Sequence, residues 1–169
     1  MPAQGGVDTS IIETMLSQGF TQAEIAEHMG VTRQAINYHA KKMGWVDPAA
    51  QVTELLPWKT LTAKERKATP YVMLRNHVEY MLNGGELMSK DALRRLRSWY
   101  ESRIFEFDMV VEYDPNIPPS PNQKFGGWRY VRRTEQDDNL IIRENSYTKL
   151  NKTQKALFRL PKKLPEIDR

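Results

Sequence analysis

In the first third of the chain the apolar residues recur at helical steps, and glycines cut them into short runs. Ile11, Ile12, Met15 and Leu16 mark one helix, with Asp8, Thr9 or Ser10 available as its cap and Gly19 as its stop. Thr21 opens a second helix, QAEIAEHM, and Glu24 three residues on completes a capping box. Ile25 and Met29 are four apart and share its inward face. Gly30 breaks the pattern, Thr32 caps a third helix, RQAINYHAKKM, and Gly44 stops it. Asp47 and Pro48 then suit the start of a short helix, AAQVTELL, that Pro57 ends. Poor in Gly and Ser, this segment is expected to be a stiff spacer of roughly 13 Å.

Longer amphipathic runs follow Trp58. Thr69-Pro70 opens one, with Val72, Met73, Val78 and Met81 expected inside and Gly84-Gly85 at its end. Ser89 opens another, KDALRRLRSWYESRIF, whose Leu93, Leu96, Tyr100 and Ile104 keep three- and four-residue steps. The period then drops to two. Phe107, Met109, Val111 and Tyr113 alternate with Asp108, Glu112 and Asp114, which predicts a half-exposed strand. After the proline-rich loop DPNIPPSPNQKFGG, two further strands are expected at Trp128–Arg133 and Leu140–Ile142, and a last helix over Lys152–Leu160. The expected fold is mostly α with a small β-sheet. A three-helix head over residues 1–46 and a linker helix over 47–57 precede an α+β second domain over 58–169.

Composition narrows the function. With 40% apolar and 27% charged residues, the chain can bury a core. No apolar run approaches the roughly eighteen residues that span a bilayer, so no membrane role is expected. The opening MPAQGGVDTS lacks the regions of a signal peptide, which suits a cytoplasmic protein. The chain has no Cys, which removes disulfides, zinc–thiolate sites and a cysteine nucleophile. The net charge of +4 is uneven. Residues 1–58 hold three Lys/Arg against six Asp/Glu, and residues 122–169 hold twelve against six. A basic second half suits a polyanion, although a solvated surface has the same composition.

The most specific motif is FTQAEIAEHMGVTRQAINYHAKK. A helix-turn-helix needs a small residue where its helices cross, and Ala26 is there. It needs a positive φ four residues on, at Gly30, and an apolar plug at Val31. It also needs an inward residue on the second helix, and Ile36 fits. A three-helix bundle that binds protein is the alternative. In the helix-turn-helix reading, the N-terminal half of the second helix faces the major groove. That places Thr32, Arg33, Gln34, Asn37 and Tyr38 toward bases, with Lys41 and Lys42 neutralising charge. Arg33 suits guanine and Gln34 or Asn37 adenine, while about half of such residues touch only backbone. Thr21 and Gln22 open the first helix of the motif, where N–H groups attract phosphate. With net −3, the head gains little from counterion release and needs either a second copy or a second grip on DNA.

Three basic clusters offer that grip: Arg94, Arg95 and Arg97; Arg129, Arg132 and Arg133 around Trp128 and Tyr130; and Lys149, Lys152, Lys155 and Arg159. The competing expectation is that Arg129 and Arg132 pair with the acidic strand across a sheet. Glu106, Asp108, Glu112 and Asp114 at two-residue spacing also leave open a Mg²⁺-dependent DNA-processing enzyme, although no base stands at a convincing spacing. The three histidines, His28, His39 and His77, are scattered. Catalytic residues, a metal, a cofactor and a small-molecule ligand are not expected.

Beyond the head, the chain carries LPW at 56–58, RNHVEYM at 75–81, LRRLRSWY at 93–100 and VVEYDPNIPP at 110–119. GGWRYVRR at 126–133, LIIREN at 140–145 and a LFRLP ending follow. In these segments it resembles the immunity repressors of temperate actinobacteriophages, chiefly mycobacteriophages, over nearly its whole length. The resemblance implies a repressor of phage lytic genes that maintains lysogeny and gives superinfection immunity in the host cytoplasm. It implies binding as a monomer to double-stranded DNA at asymmetric sites, called stoperators, where initiation or elongation of transcription is blocked. By position, Arg33, Gln34, Asn37 and Tyr38 match the family's recognition-helix region. A homodimeric repressor whose second domain only dimerises is the other binding reading.

Overall fold

A computed structural model describes residues 7–18, 20–44 and 48–167. The expected Gly19 stop and Asp47 cap lie outside them. The fold is mostly helical with one small antiparallel sheet, and the chain divides into two compact units, residues 1–50 and 51–169.

The first unit holds α1 (Thr9–Ser17), α2 (Gln22–Met29) and α3 (Arg33–Lys42). Local signals set their limits. The Asp8 carboxylate accepts the Ser10 N–H at the start of α1. Thr21 and Glu24 form the reciprocal capping box of α2, and Thr32 Oγ1 accepts the Ala35 N–H at the start of α3. Ile12, Leu16, Ile25, Ala26, Ile36 and Ala40 are the buried core. Ile11, expected inside, is 40% exposed.

The helix expected as a spacer is present as α4 (Pro48–Leu55), but it is not free of the second unit. Val52 on α4 and Leu56 just after it are 2% and 1% exposed and belong to that unit's core. Then come α5 (Ala63–Lys67), α6 (Thr69–Asn83) and α7 (Lys90–Trp99). On α6 the buried face runs through Tyr71, Met73, Leu74, His77 and Val78, whereas Val72 is exposed and Met81 half-buried. Past Trp99 the helix widens into a π-helical segment, Tyr100–Glu106, instead of continuing as α. The Phe107 N–H accordingly reaches back five residues to the Ser102 carbonyl.

Strand β1 (Met109–Tyr113) pairs antiparallel with β2 (Trp128–Arg132), in register Val111 to Tyr130 and Glu112 to Arg129. The expectation of a half-exposed strand fails. Val110, Val111, Glu112 and Tyr113 are all buried: Val111 and Tyr113 face the core, and Glu112 on the opposite face is covered by Arg129 and Asn145. The second edge of β1 is occupied by the segment at Leu140–Ile142. The Val111 N–H donates to the Ile141 carbonyl at 2.9 Å, and the Arg143 N–H to Val111 at 2.8 Å. That segment makes a bridge to Val111 and not the full strand expected. Phe107 is 49% exposed and precedes the strand, since Asp108 turns the chain with φ of 50°. Helix α8 (Lys152–Leu157) closes the second unit.

The second core is built around tryptophan. Trp58 and Trp128 meet edge-to-face with centroids 4.9 Å apart, and Tyr113 lies 4.8 Å from Trp128. The indole N–H groups find Thr148 Oγ1 and the Glu65 carbonyl, at 2.8 and 2.9 Å. Buried Glu65 also accepts the Tyr113 hydroxyl at 2.7 Å, and burial beside that carboxylate pushes the Tyr113 phenol up. Gly127, with φ of 96°, passes so close that an added Cβ would lie 2.7 Å from Glu65 Oε2.

His77 is fully buried. Its Nε2 faces the Leu157 carbonyl at 2.7 Å, and a carbonyl only accepts, so Nε2 carries the proton. Nδ1 then accepts from the Tyr100 hydroxyl. Burial holds this imidazole down at about 4. The unfolded chain takes up a proton below about pH 6.5 that the folded chain refuses until about pH 4, so stability falls with pH through that window. The expected loss from His77 between pH 7 and pH 4 is about 3 kcal/mol. Urea unfolding at both pH values checks it, with His77→Gln expected to lose correspondingly less on acidification.

Candidate nucleic-acid interface

On α3, the residues turned inward are Ile36 and Ala40, both 0% exposed. At 100° per residue, Gln34, Tyr38 and Lys41 form a stripe opposite the core with Asn37 on its flank, while Arg33 falls close to Ala40 in projection and is exposed because it stands in the first turn. Thr32, Arg33, Gln34, Tyr38 and Lys41 are exposed and Asn37 is half-buried. Tyr38 is 57% exposed, and Lys42 Nζ sits 5.1 Å above its ring. The stripe is held from behind by the turn. Gly30 has φ of 67°, and the Val31 N–H donates to the Ala26 carbonyl at 3.0 Å. Ala26 and Ile36 are buried behind this turn, and Val31 is half-buried.

The start of α2 is less open than its sequence implies. The Glu24 carboxylate accepts the Thr21 N–H at 2.9 Å, so negative charge already stands at that terminus. Thr21 is exposed and Gln22 half-buried. A phosphate near them meets the N–H groups only beside Glu24.

The second unit sorts its cations by their neighbours. Arg129 donates from Nε to Glu112 at 2.7 Å, directly across the sheet. Arg133, not Arg132, makes the other link to the acidic segment. It reaches Asp108 at 3.2 Å and donates to the Asp138 and Leu140 carbonyls. Arg97 spans Glu101 and the Pro165 carbonyl, and Arg94 pairs with Asp91. Lys155 stands 3.9 Å from Glu144. Arg95, Arg132, Lys149 and Lys152 are exposed and make no side-chain hydrogen bond or ion pair among the described residues. The structure also presents Arg103, which cluster reading missed. Its guanidinium lies 5.0 Å over the Tyr130 ring, and Trp99 Nε1 donates to the Tyr130 hydroxyl at 2.8 Å. Arg95 and Arg103, eight apart on the helix pattern, were the available signal.

Three of the four acidic residues around β1 are engaged, Glu112 with Arg129, Asp108 with Arg133 and Asp114 with Asn116, while Glu106 is exposed at the end of the π-helical segment. Among the described residues no group of three or more acidic or histidine side chains is placed to hold a metal. No helix among them is long and apolar enough to cross a membrane.

No protein-family model matches the chain. It is 38% identical over 168 residues to the repressor-like immunity protein of Mycobacterium phage L5, covering 98% of this chain and 91% of that protein.

Proposed function

The chain belongs to the family of mycobacteriophage repressor-like immunity proteins, and from that premise we propose that it silences phage lytic genes by sequence-specific binding to double-stranded DNA. In this reading α2 and α3 are a helix-turn-helix, and α3 enters the major groove. Arg33, Gln34, Asn37 and Tyr38 read base edges, and Lys41 neutralises phosphate. The observation that most supports it is the exposed polar stripe of α3, backed by Ala26, Gly30, Val31 and Ile36 in register.

The head's charge limits what it does alone. Its basic residues are Arg33, Lys41 and Lys42, so at most about three phosphates are neutralised there. The second unit adds phosphate contacts through its unpaired cations, Arg95, Arg132, Lys149 and Lys152 foremost. Two weak grips on one chain reinforce each other through effective concentration. Such a chain needs no second copy, and its site needs no two-fold symmetry. It therefore acts as a monomer at asymmetric operator and stoperator sites, in the cytoplasm of the lysogen, with no cofactor.

Stoichiometry tests this arrangement. Light scattering of the full chain on a duplex carrying one protected site is expected to give the mass of one chain per duplex. Two chains on a palindromic site would instead assign the second unit to dimerisation.

A further inference from the structure

The second unit has a pocket of about 320 Å³ walled by the side of α7, the π-helical segment and β2. Its lining is unusual in charge. It includes Arg95 and Arg103, whose guanidinium groups have no ion pair among the described residues, and no acidic side chain. Asn122 and Gln123 complete the polar wall. Gln123 is fixed by reciprocal backbone hydrogen bonds with Ser120, at 2.9 and 3.0 Å, yet its buried side-chain Nε2 has no acceptor. An amide left in this way is costly to bury, and an incoming acceptor oxygen relieves that cost after a small side-chain adjustment. Tyr130 gives the pocket an aromatic floor, held by Trp99 Nε1 and covered by Arg103.

From this convergence we infer that the pocket is an anion site that takes a phosphate group, with Arg95 and Arg103 as its cations and Gln123 and Asn122 as neutral donors. The chemistry asks for an oxyanion with several acceptor oxygens. A carboxylate ligand has two, while a phosphate offers enough for both guanidinium groups and an amide. The register extends the site along the sheet. Arg132 is two residues from Tyr130 on the same face of β2, so the positive surface continues past the pocket as a backbone-tracking groove does. The phosphate comes either from the DNA backbone, where the site deepens the proposed function and rests on it, or from free phosphate in solution.

The test uses the full chain, wild type and carrying Arg95→Gln with Arg103→Gln. Arg95→Gln alone is the second variant, since it removes an exposed, unpaired side chain and leaves the Arg103–Tyr130 contact in place. Affinity for a random-sequence duplex is measured against salt, with melting temperatures taken in parallel. Inorganic phosphate is titrated separately while the Arg Nε–H and Gln123 side-chain amide NMR signals are followed. The expected result is a log–log salt slope shallower by about 1 for the double variant, which empties a one-phosphate site, and by a smaller step for Arg95→Gln, the latter at unchanged melting temperature. Inorganic phosphate should then shift the Gln123 signal only weakly. An unchanged slope together with saturable, Arg95-dependent phosphate shifts assigns the site to free phosphate. An unchanged slope with no phosphate shift overturns the site, and leaves the proposed function standing if the wild type binds DNA. A wild type that binds no duplex but saturates with phosphate would overturn the proposed function and keep the site.

Discussion

Replacing Arg95, Arg132, Lys149 and Lys152 together with glutamine should weaken binding of the full chain to any duplex by roughly 10³-fold at physiological salt. The reason is counterion release. Each phosphate contact contributes about 0.9 to the log–log salt slope, so losing four should flatten it by three to four. These four are the informative choice because they are exposed and make no side-chain pair among the described residues. Arg129 and Arg133 are poor choices. Arg129 holds Glu112, which is 8% exposed, and Arg133 holds two backbone carbonyls, so their loss damages the sheet whether or not DNA is present. Affinity measured from low to moderate salt checks the prediction. A variant with the wild-type slope would place DNA binding in the first unit alone.

The second large effect belongs to the head and should be selective where the first is general. Arg33→Ala and Asn37→Ala are each expected to cost about 1–3 kcal/mol on the cognate site, and the pair about 2–6 kcal/mol if their contacts are independent. On random DNA the loss should be small, since bidentate base contacts are made only with the right bases. Neither side chain contributes to the core of Ile12, Leu16, Ile25, Ala26, Ile36 and Ala40, so the melting temperature should hold. Competition between cognate and random duplexes reads the difference directly. Equal losses on both would mean that Arg33 and Asn37 touch only phosphates.

These two predictions separate residues that were legible in sequence to different degrees. The head was readable because its determinants are local. Thr21 caps Glu24, Thr32 caps Ala35, and Gly30 supplies the left-handed turn, all within four residues of their partners. The second unit depends on partners far along the chain. Glu65 and His77 are polar residues in an apolar core. Their burial follows from Tyr113, 48 positions away, and from Leu157, 80 positions away. No periodicity on α5 or α6 carries that information. The same holds for β1. Its alternation reads as one wet face, but the Ile141 segment returns to cover the free edge, and Glu112 is buried against Arg129 and Asn145.

The candidate site divides along the same line. The α3 stripe follows from helical spacing once the turn is fixed. The basic clusters of the second unit were visible as clusters, but which member stays free is a matter of three-dimensional pairing. Arg132 and Arg133 are neighbours in sequence, yet one has an exposed side chain without a partner among the described residues and the other anchors the Asp138–Leu140 turn. Arg103 went unseen because it stands in an amphipathic helix without a basic neighbour. Its significance comes from Tyr130 on a strand 27 residues later.

A family member with a polar α3 stripe and a cationic second unit is expected to act on DNA as a sequence-specific, single-chain binder. Footprinting of the full chain across the phage genome tests it most directly. The expected result is protection at dispersed sites that share one sequence without two-fold symmetry, each footprint longer than a single helix-turn-helix module covers. Protection at a palindrome alone, or none at any concentration that leaves the protein folded, would contradict it.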